Sequence, residues 1–133
     1  MILVDTSVWV DHLRDGDKAL VALLEHGQVL AHPFVIGELA LGWIQHRDRV
    51  IGTLNELPRA SVATDAEVVE FINRHTLFGL GIGYVDAHLL TAVRLTAGAS
   101  FWTRDKRLAV VADQLGLTAH PPDVTKTSKR EPE

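Results

Sequence analysis

The chain has 133 residues, 47% apolar and 23% charged, a balance that suits one domain built around a shared core. Its net charge of −4 excludes a broad electrostatic grip on a polyanion and leaves that task to local basic groups. The absence of cysteine removes disulfides and thiolate metal sites and fits a reducing cytoplasm, no basic stretch of a signal peptide opens the chain, and no apolar run has the length of a membrane span.

Ile2–Val4 reads as a short buried strand that ends at Asp5. Thr6 or Ser7 is placed to cap a helix running to about Arg14. Asp17 is expected to cap a second helix, with Leu20, Val21, Leu23 and Leu24 on its inner side and Gly27 as its stop. Residues 29–31 form the next predicted strand, and Pro33 breaks the chain before a helix that contains Glu38. Val50, Ile51, Leu54 and Leu57 recur at helical spacing until Pro58 ends the run. Residues 61–63 are expected to be a third strand. Thr64 and Glu67 have the spacing of a capping box, ahead of a helix whose apolar face carries Val68, Val69 and Ile72. Gly79, Gly81 and Gly83 mark a turn into a helix from about Tyr84 to Ala97, closed by Gly98. Ser100–Trp102 is a fourth predicted strand, residues 105–114 a helix stopped by Gly116, and residues 117–119 a fifth strand. From Pro121 the composition turns to Thr, Lys, Ser and Glu. A domain over residues 1–121 and a disordered tail over residues 122–133 are expected, with Lys126, Lys129 and Arg130 in the tail balanced by Glu131 and Glu133.

Alternating strands and helices point to an α/β fold, a parallel sheet flanked by helices. In such sheets ligands bind beyond the carboxyl ends of the strands. Asp5 and Asp105 fall just past two of those ends, and Glu38 and Asp86 lie near helix starts that should face the same edge. Singly, each has a modest explanation: Asp5 and Asp105 suit helix caps, and Asp86 suits a helix dipole. Glu38 is harder to explain that way, standing among Phe34, Val35, Ile36, Leu39, Ala40 and Leu41 with no local partner. Jointly the four suggest one shared partner, a hard divalent cation such as Mg²⁺ or Mn²⁺, and a metal-dependent enzyme acting on phosphate. Crowded carboxylates raise one another's pKa values, so Asp5→Asn is expected to leave apo stability unchanged or increased.

Other features carry less. The three glycines have neither dinucleotide-binding nor P-loop spacing, and the seven histidines show no zinc-ligand spacing. His12 and His88 read as packed or solvated. Arg104, Lys106 and Arg107 bracket Asp105 at a helix start, where cations oppose the dipole; they fit either phosphate binding or a solvated turn. Trp9, Trp43 and Trp102 are expected to pack in a core or an interface rather than to stack on bases. An aspartate-based phosphatase would carry a second Asp at position 7, where this chain has Ser7, and a receiver domain would need an acidic pair that is not evident.

Four segments in register resemble the PIN domain, and more narrowly the VapC-type toxins of bacterial and archaeal toxin–antitoxin pairs. They are Val4-Asp5-Thr6-Ser7 with Trp9 close behind, Ile36-Gly37-Glu38-Leu39, Asp86-Ala87 before a Leu-rich helix, and Thr103-Arg104-Asp105. The resemblance covers about residues 1–120. It implies a PIN-like three-layer sandwich with a central, mostly parallel sheet of about five short strands. It also implies a Mg²⁺- or Mn²⁺-dependent endoribonuclease, inhibited by a cognate VapB-type antitoxin, forming a homodimer and larger toxin–antitoxin assemblies. An antitoxin segment would lie in an apolar groove to which Trp9, Leu13 and residues 20–24 contribute. On this reading Asp5 and Asp86 hold one metal, Asp105 completes its shell, and Glu38 holds a second metal or orients the attacking water. Thr6 and Thr103 would hold carboxylates in place, and hydrolysis would leave 5′-phosphate and 3′-OH ends. The alternatives are a non-catalytic PIN-like module that binds RNA or protein, and a phosphotransfer domain.

Overall fold

Leu3 and Val4 are fully buried, because β1 (Ile2–Val4) runs between two parallel neighbours. The computed structural model describes residues 1–122. On one side β1 pairs with β2 (Val29–Leu30) in the register Ile2↔Val29. On the other it pairs with β3 (Ser100–Trp102), Ile2↔Ser100 through Val4↔Trp102. Among the described residues seven helices flank this sheet: α1 (Thr6–Asp15), α2 (Lys18–Glu25), α3 (Pro33–Leu41), α4 (Arg47–Glu56), α5 (Asp65–His75), α6 (Tyr84–Leu95) and α7 (Lys106–Gln114).

The expected five strands are three, with a single parallel bridge added at each outer edge, Ala31↔Arg59 and Phe101↔Thr118. Each bridge is closed by two hydrogen bonds. Ala31 N–H donates to Pro58 and Ala60 N–H to Ala31, and Phe101 N–H donates to Leu117 and Ala119 N–H to Phe101. The strand expected over residues 61–63 therefore contacts the sheet earlier, at Arg59. Ser61 N–H instead donates to the Thr96 hydroxyl at 2.9 Å, which turns the chain away from the ladder.

Helix starts follow local chemistry. Asp17 Oδ1 accepts from Leu20 N–H, and Thr64 and Glu67 form the capping box reciprocally. Pro33 occupies the first turn of α3, but the cap is His32, whose Nδ1 accepts from Phe34 N–H at 3.0 Å. Neither Thr6 nor Ser7 caps α1, since Asp5 holds the cap position and both hydroxyls turn to carboxylates. α6 ends at Leu95, short of Ala97. Two residues read as inward-facing are exposed, Val21 (41%) and Val69 (49%). The core takes Leu20 and Leu23 from α2, Leu39 from α3, Leu54 from α4 and Leu89 and Leu90 from α6. Each fully buried Leu contributes roughly 2 kcal/mol. Trp9 is buried and Trp102 half-buried, whereas Trp43 is fully exposed on the α3–α4 connection and packs in no core. Lys126, Lys129, Arg130 and nearly all of the expected tail lie outside the described residues.

Candidate active site

The three strands run the same way, so their carboxyl ends share one edge. Asp5 follows β1 directly, and Asp105 follows β3 after a two-residue loop. Glu38 lies on α3 and Asp86 in the first turn of α6. Asp86 reports how close the four are. Its carboxyl is held above the usual range, first by burial and then by the charges of Asp5, Asp105 and Glu38, against one N–H from Gly83 that favours ionisation. Asp86 thus feels residues 5, 38 and 105 across a sequence span that only the fold closes.

Hydroxyls fix two of these carboxylates. Thr103 Oγ1 donates to Asp5 Oδ2 at 2.7 Å and Ser7 Oγ donates to the same oxygen at 2.9 Å. Thr6 Oγ1 donates to Glu38 Oε1 at 2.6 Å. Asp5 is only 7% exposed, so its two hydroxyl partners offset part of the cost of burying charge. Glu38 is exposed despite its apolar neighbours, of which Val35, Ile36 and Leu39 face the core while it faces solvent. Asp105 is also exposed, and its Oδ1 caps α7 by accepting from Leu108 N–H at 3.1 Å. Asp86 Oδ2 accepts from Gly83 N–H at 2.9 Å. Among the described residues, no three of these groups approach closely enough to form a ready-made ligand cage. Glu38 is turned onto Thr6 and Asp105 onto its own helix.

The donors at this edge are all carboxylate and hydroxyl oxygens, a set that suits a hard cation of the Mg²⁺ class. The nearest histidine in sequence, His88, is buried, and its Nε2 lies 3.2 Å from Asp65. Ser7, which the sequence offered only as a helix cap, is the residue missed here: besides Asp5 it accepts from Arg104 N–H at 3.0 Å.

The three cations separate. Arg104 pairs with Asp11 at 2.7 Å and with Asp17, and its guanidinium lies over the Trp102 ring, 5.5 Å from the centroid. Two carboxylates neutralise it, so it clamps the β3–α7 loop to α1 and α2 rather than presenting free charge to RNA. Lys106 and Arg107 remain exposed, and with Leu80, Val110, Val111 and Gln114 they line a groove of about 310 Å³. Gly81 permits this. It has φ +79°, and a Cβ there would meet the Arg107 guanidinium at 2.6 Å. Of the residues expected to form an apolar groove, Trp9, Leu20 and Leu23 belong to the core, Leu13 and Leu24 are half-buried and Val21 is exposed. Among the described residues the most exposed apolar side chains are instead Leu41 (90%) and Trp43 (103%).

The family model described as "PIN domain" matches residues 2–114. Two relatives, each named Ribonuclease VapC32, come from Mycobacterium tuberculosis strains CDC 1551 / Oshkosh and ATCC 25618 / H37Rv. Each is 50% identical over 117 residues, covering 88% of this chain and 94% of the relative.

Proposed function

The chain belongs to the PIN-domain family, and from that premise we propose that it is the toxin of a VapC-type toxin–antitoxin pair, a metal-dependent endoribonuclease. The observation that carries this reading is the gathering of Asp5, Glu38 and Asp105 around Asp86 at the carboxyl edge of the sheet. Asp5 and Asp86 would hold the metal directly, with Asp105 completing its shell. A bound divalent cation, Mg²⁺ or Mn²⁺, lowers the pKa of water and offsets the charge that builds on the phosphate oxygens.

The chain's own groups do the rest. Ser7 and Thr103 fix Asp5 through a single oxygen, which leaves Oδ1 without a donor among the described residues. Glu38, exposed and tethered by Thr6, would hold a second metal or orient the attacking water and take its proton. Water oxygen would form the new bond to phosphorus, the bond to O3′ would break with O3′ taking a proton from solvent, and the products would carry 5′-phosphate and 3′-OH ends. Lys106 and Arg107 supply local positive charge for RNA phosphates despite the net charge of −4. Leu41 and Trp43 offer an apolar surface to a VapB-type antitoxin or to a second copy in a homodimer. No helix among the described residues is long and apolar enough to cross a membrane, and a cytoplasmic location would suit an RNA substrate.

The test uses purified, antitoxin-free protein with single-stranded and total cellular RNA, in Mg²⁺, Mn²⁺ or EDTA, beside Asp5→Asn. Cleavage that requires metal, disappears in the variant and leaves 5′-phosphate ends is expected. Cleavage in EDTA, or 2′,3′-cyclic phosphate ends, would contradict the mechanism. No cleavage with any metal would favour a PIN-like binding module.

A further inference from the structure

Arg104 is held from both ends. Its guanidinium donates to Asp11 Oδ2 at 2.7 Å and to Asp17 Oδ2, and it lies over the Trp102 ring. Asp17 is a fixed anchor. Its side chain is 15% exposed, its Oδ1 accepts from Leu20 N–H at 2.9 Å, and its own N–H donates to His12 Nδ1 at 3.0 Å. A lone surface ion pair contributes little, but a guanidinium shared by two carboxylates, one of them locked at a helix start, holds its geometry.

The backbone of Arg104 leads to the acidic edge. Its N–H donates to Ser7 Oγ at 3.0 Å, so the Ser7 hydroxyl keeps its own proton for Asp5 Oδ2 at 2.9 Å. Thr103 donates to the same oxygen at 2.7 Å, and its Oγ1 accepts from Asp105 N–H at 3.1 Å. Among the described residues, Arg104 N–H and Asp105 N–H reach no backbone carbonyl. Side chains therefore set the path of residues 103–105, and the Arg104 guanidinium ties that path to α1 and α2.

We propose that Arg104 is a positioning residue for the acidic edge: anchored on Asp11 and Asp17, it holds Ser7 and Thr103 in place on Asp5 Oδ2. It touches neither RNA nor the reacting atoms. Asp11 and Asp17 act through it, so the α1–α2 junction helps to fix a carboxylate at the end of β1. The kinetic half of the test rests on the ribonuclease reading, and the spectroscopic half does not.

The variants are Arg104→Met, Arg104→Lys and Asp17→Asn in the full-length chain; Asp17→Asn keeps an oxygen for Leu20 N–H. With Mg²⁺ and single-stranded RNA, Arg104→Met should lower kcat about tenfold and leave KM unchanged. Arg104→Lys, which still pairs with one carboxylate, should recover part of that loss. Asp17→Asn added to Arg104→Met should cost no further kcat. A lower melting temperature with unchanged kcat would make the clamp structural only, and a raised KM would make Arg104 an RNA contact; either overturns the proposal. In EDTA without RNA, ¹³C spectra of Asp17→Asn should show the Asp5 carboxyl signal displaced. Changes confined to residues 11–20 and 102–105 would overturn the link even if kcat falls. If the wild type cleaves no RNA, the ribonuclease reading fails and the Asp5 signal alone decides.

Discussion

Replacing Asp86 by Asn should raise the melting temperature of the metal-free protein. Burial and three neighbouring acids disfavour the ionised carboxyl in the fold, so its charge carries a stability cost. Asp5 is buried but Glu38 and Asp105 are solvated, and together the three contribute ~1 kcal/mol. Asn keeps an oxygen for the Gly83 N–H, but the neutral hydrogen bond is weaker than the charged one by ~0.5 kcal/mol. The net gain is ~0.5 kcal/mol, roughly 2 °C for a domain of this size. A carboxyl whose folded pKa exceeds its unfolded value carries this cost above the folded pKa and loses it as pH falls through that value. The difference between variant and wild type should therefore be largest near neutral pH and fade towards 3.8, the ordinary value. Thermal melts at low salt in EDTA, across pH, read the effect. A loss of more than about 3 °C at neutral pH would refute the crowding argument and make Asp86 a structural cap.

His32 gives the opposite pH dependence. Between 6.5 and about 4 the unfolded chain binds a proton that the folded chain refuses, so stability is complete above 6.5 and falls by ~3 kcal/mol as pH drops to about 4. His32→Asn should flatten that slope in denaturant midpoints, and parallel profiles would contradict it. Arg104→Met should cost ~1 kcal/mol of stability by releasing Asp11, Asp17 and the Trp102 ring, with the salt dependence of RNA binding unchanged. Lys106→Ala with Arg107→Ala should do the reverse, lowering the salt slope by about 1.4 on single strands with little change in melting. Gly81→Ala should lose ~1 kcal/mol, because φ is positive and the new Cβ displaces the Arg107 guanidinium; an unchanged melting temperature would refute that contact.

That Asp5 and Asp105 follow strands whose carboxyl ends share one edge was legible because strand and helix alternate along the chain, and parallel strands bring those ends together whatever lies between. Asp17, the Thr64–Glu67 box and β3 were legible for a local reason, since capping and short apolar runs are written within a few residues. The roles of neighbouring side chains were not. Arg104 stands at a helix start with the look of a phosphate contact, and its carboxylate partners lie 87 and 93 residues away. Glu38 sits in an apolar run, yet on a helix Val35, Ile36 and Leu39 turn inward while it points out. The outer strands shrank to single bridges because Arg59 and Thr118 each meet the sheet at one residue before the chain departs.

The most direct measurement is a calorimetric titration of Mn²⁺ into the wild-type chain and into Asp5→Asn, Glu38→Gln, Asp86→Asn and Asp105→Asn. If the four acids form one site, the wild type binds Mn²⁺ and each substitution weakens binding by about tenfold or more. Absent binding by the folded wild type, or affinity untouched by the Glu38 and Asp105 variants, would mean that the edge does not act as one metal site.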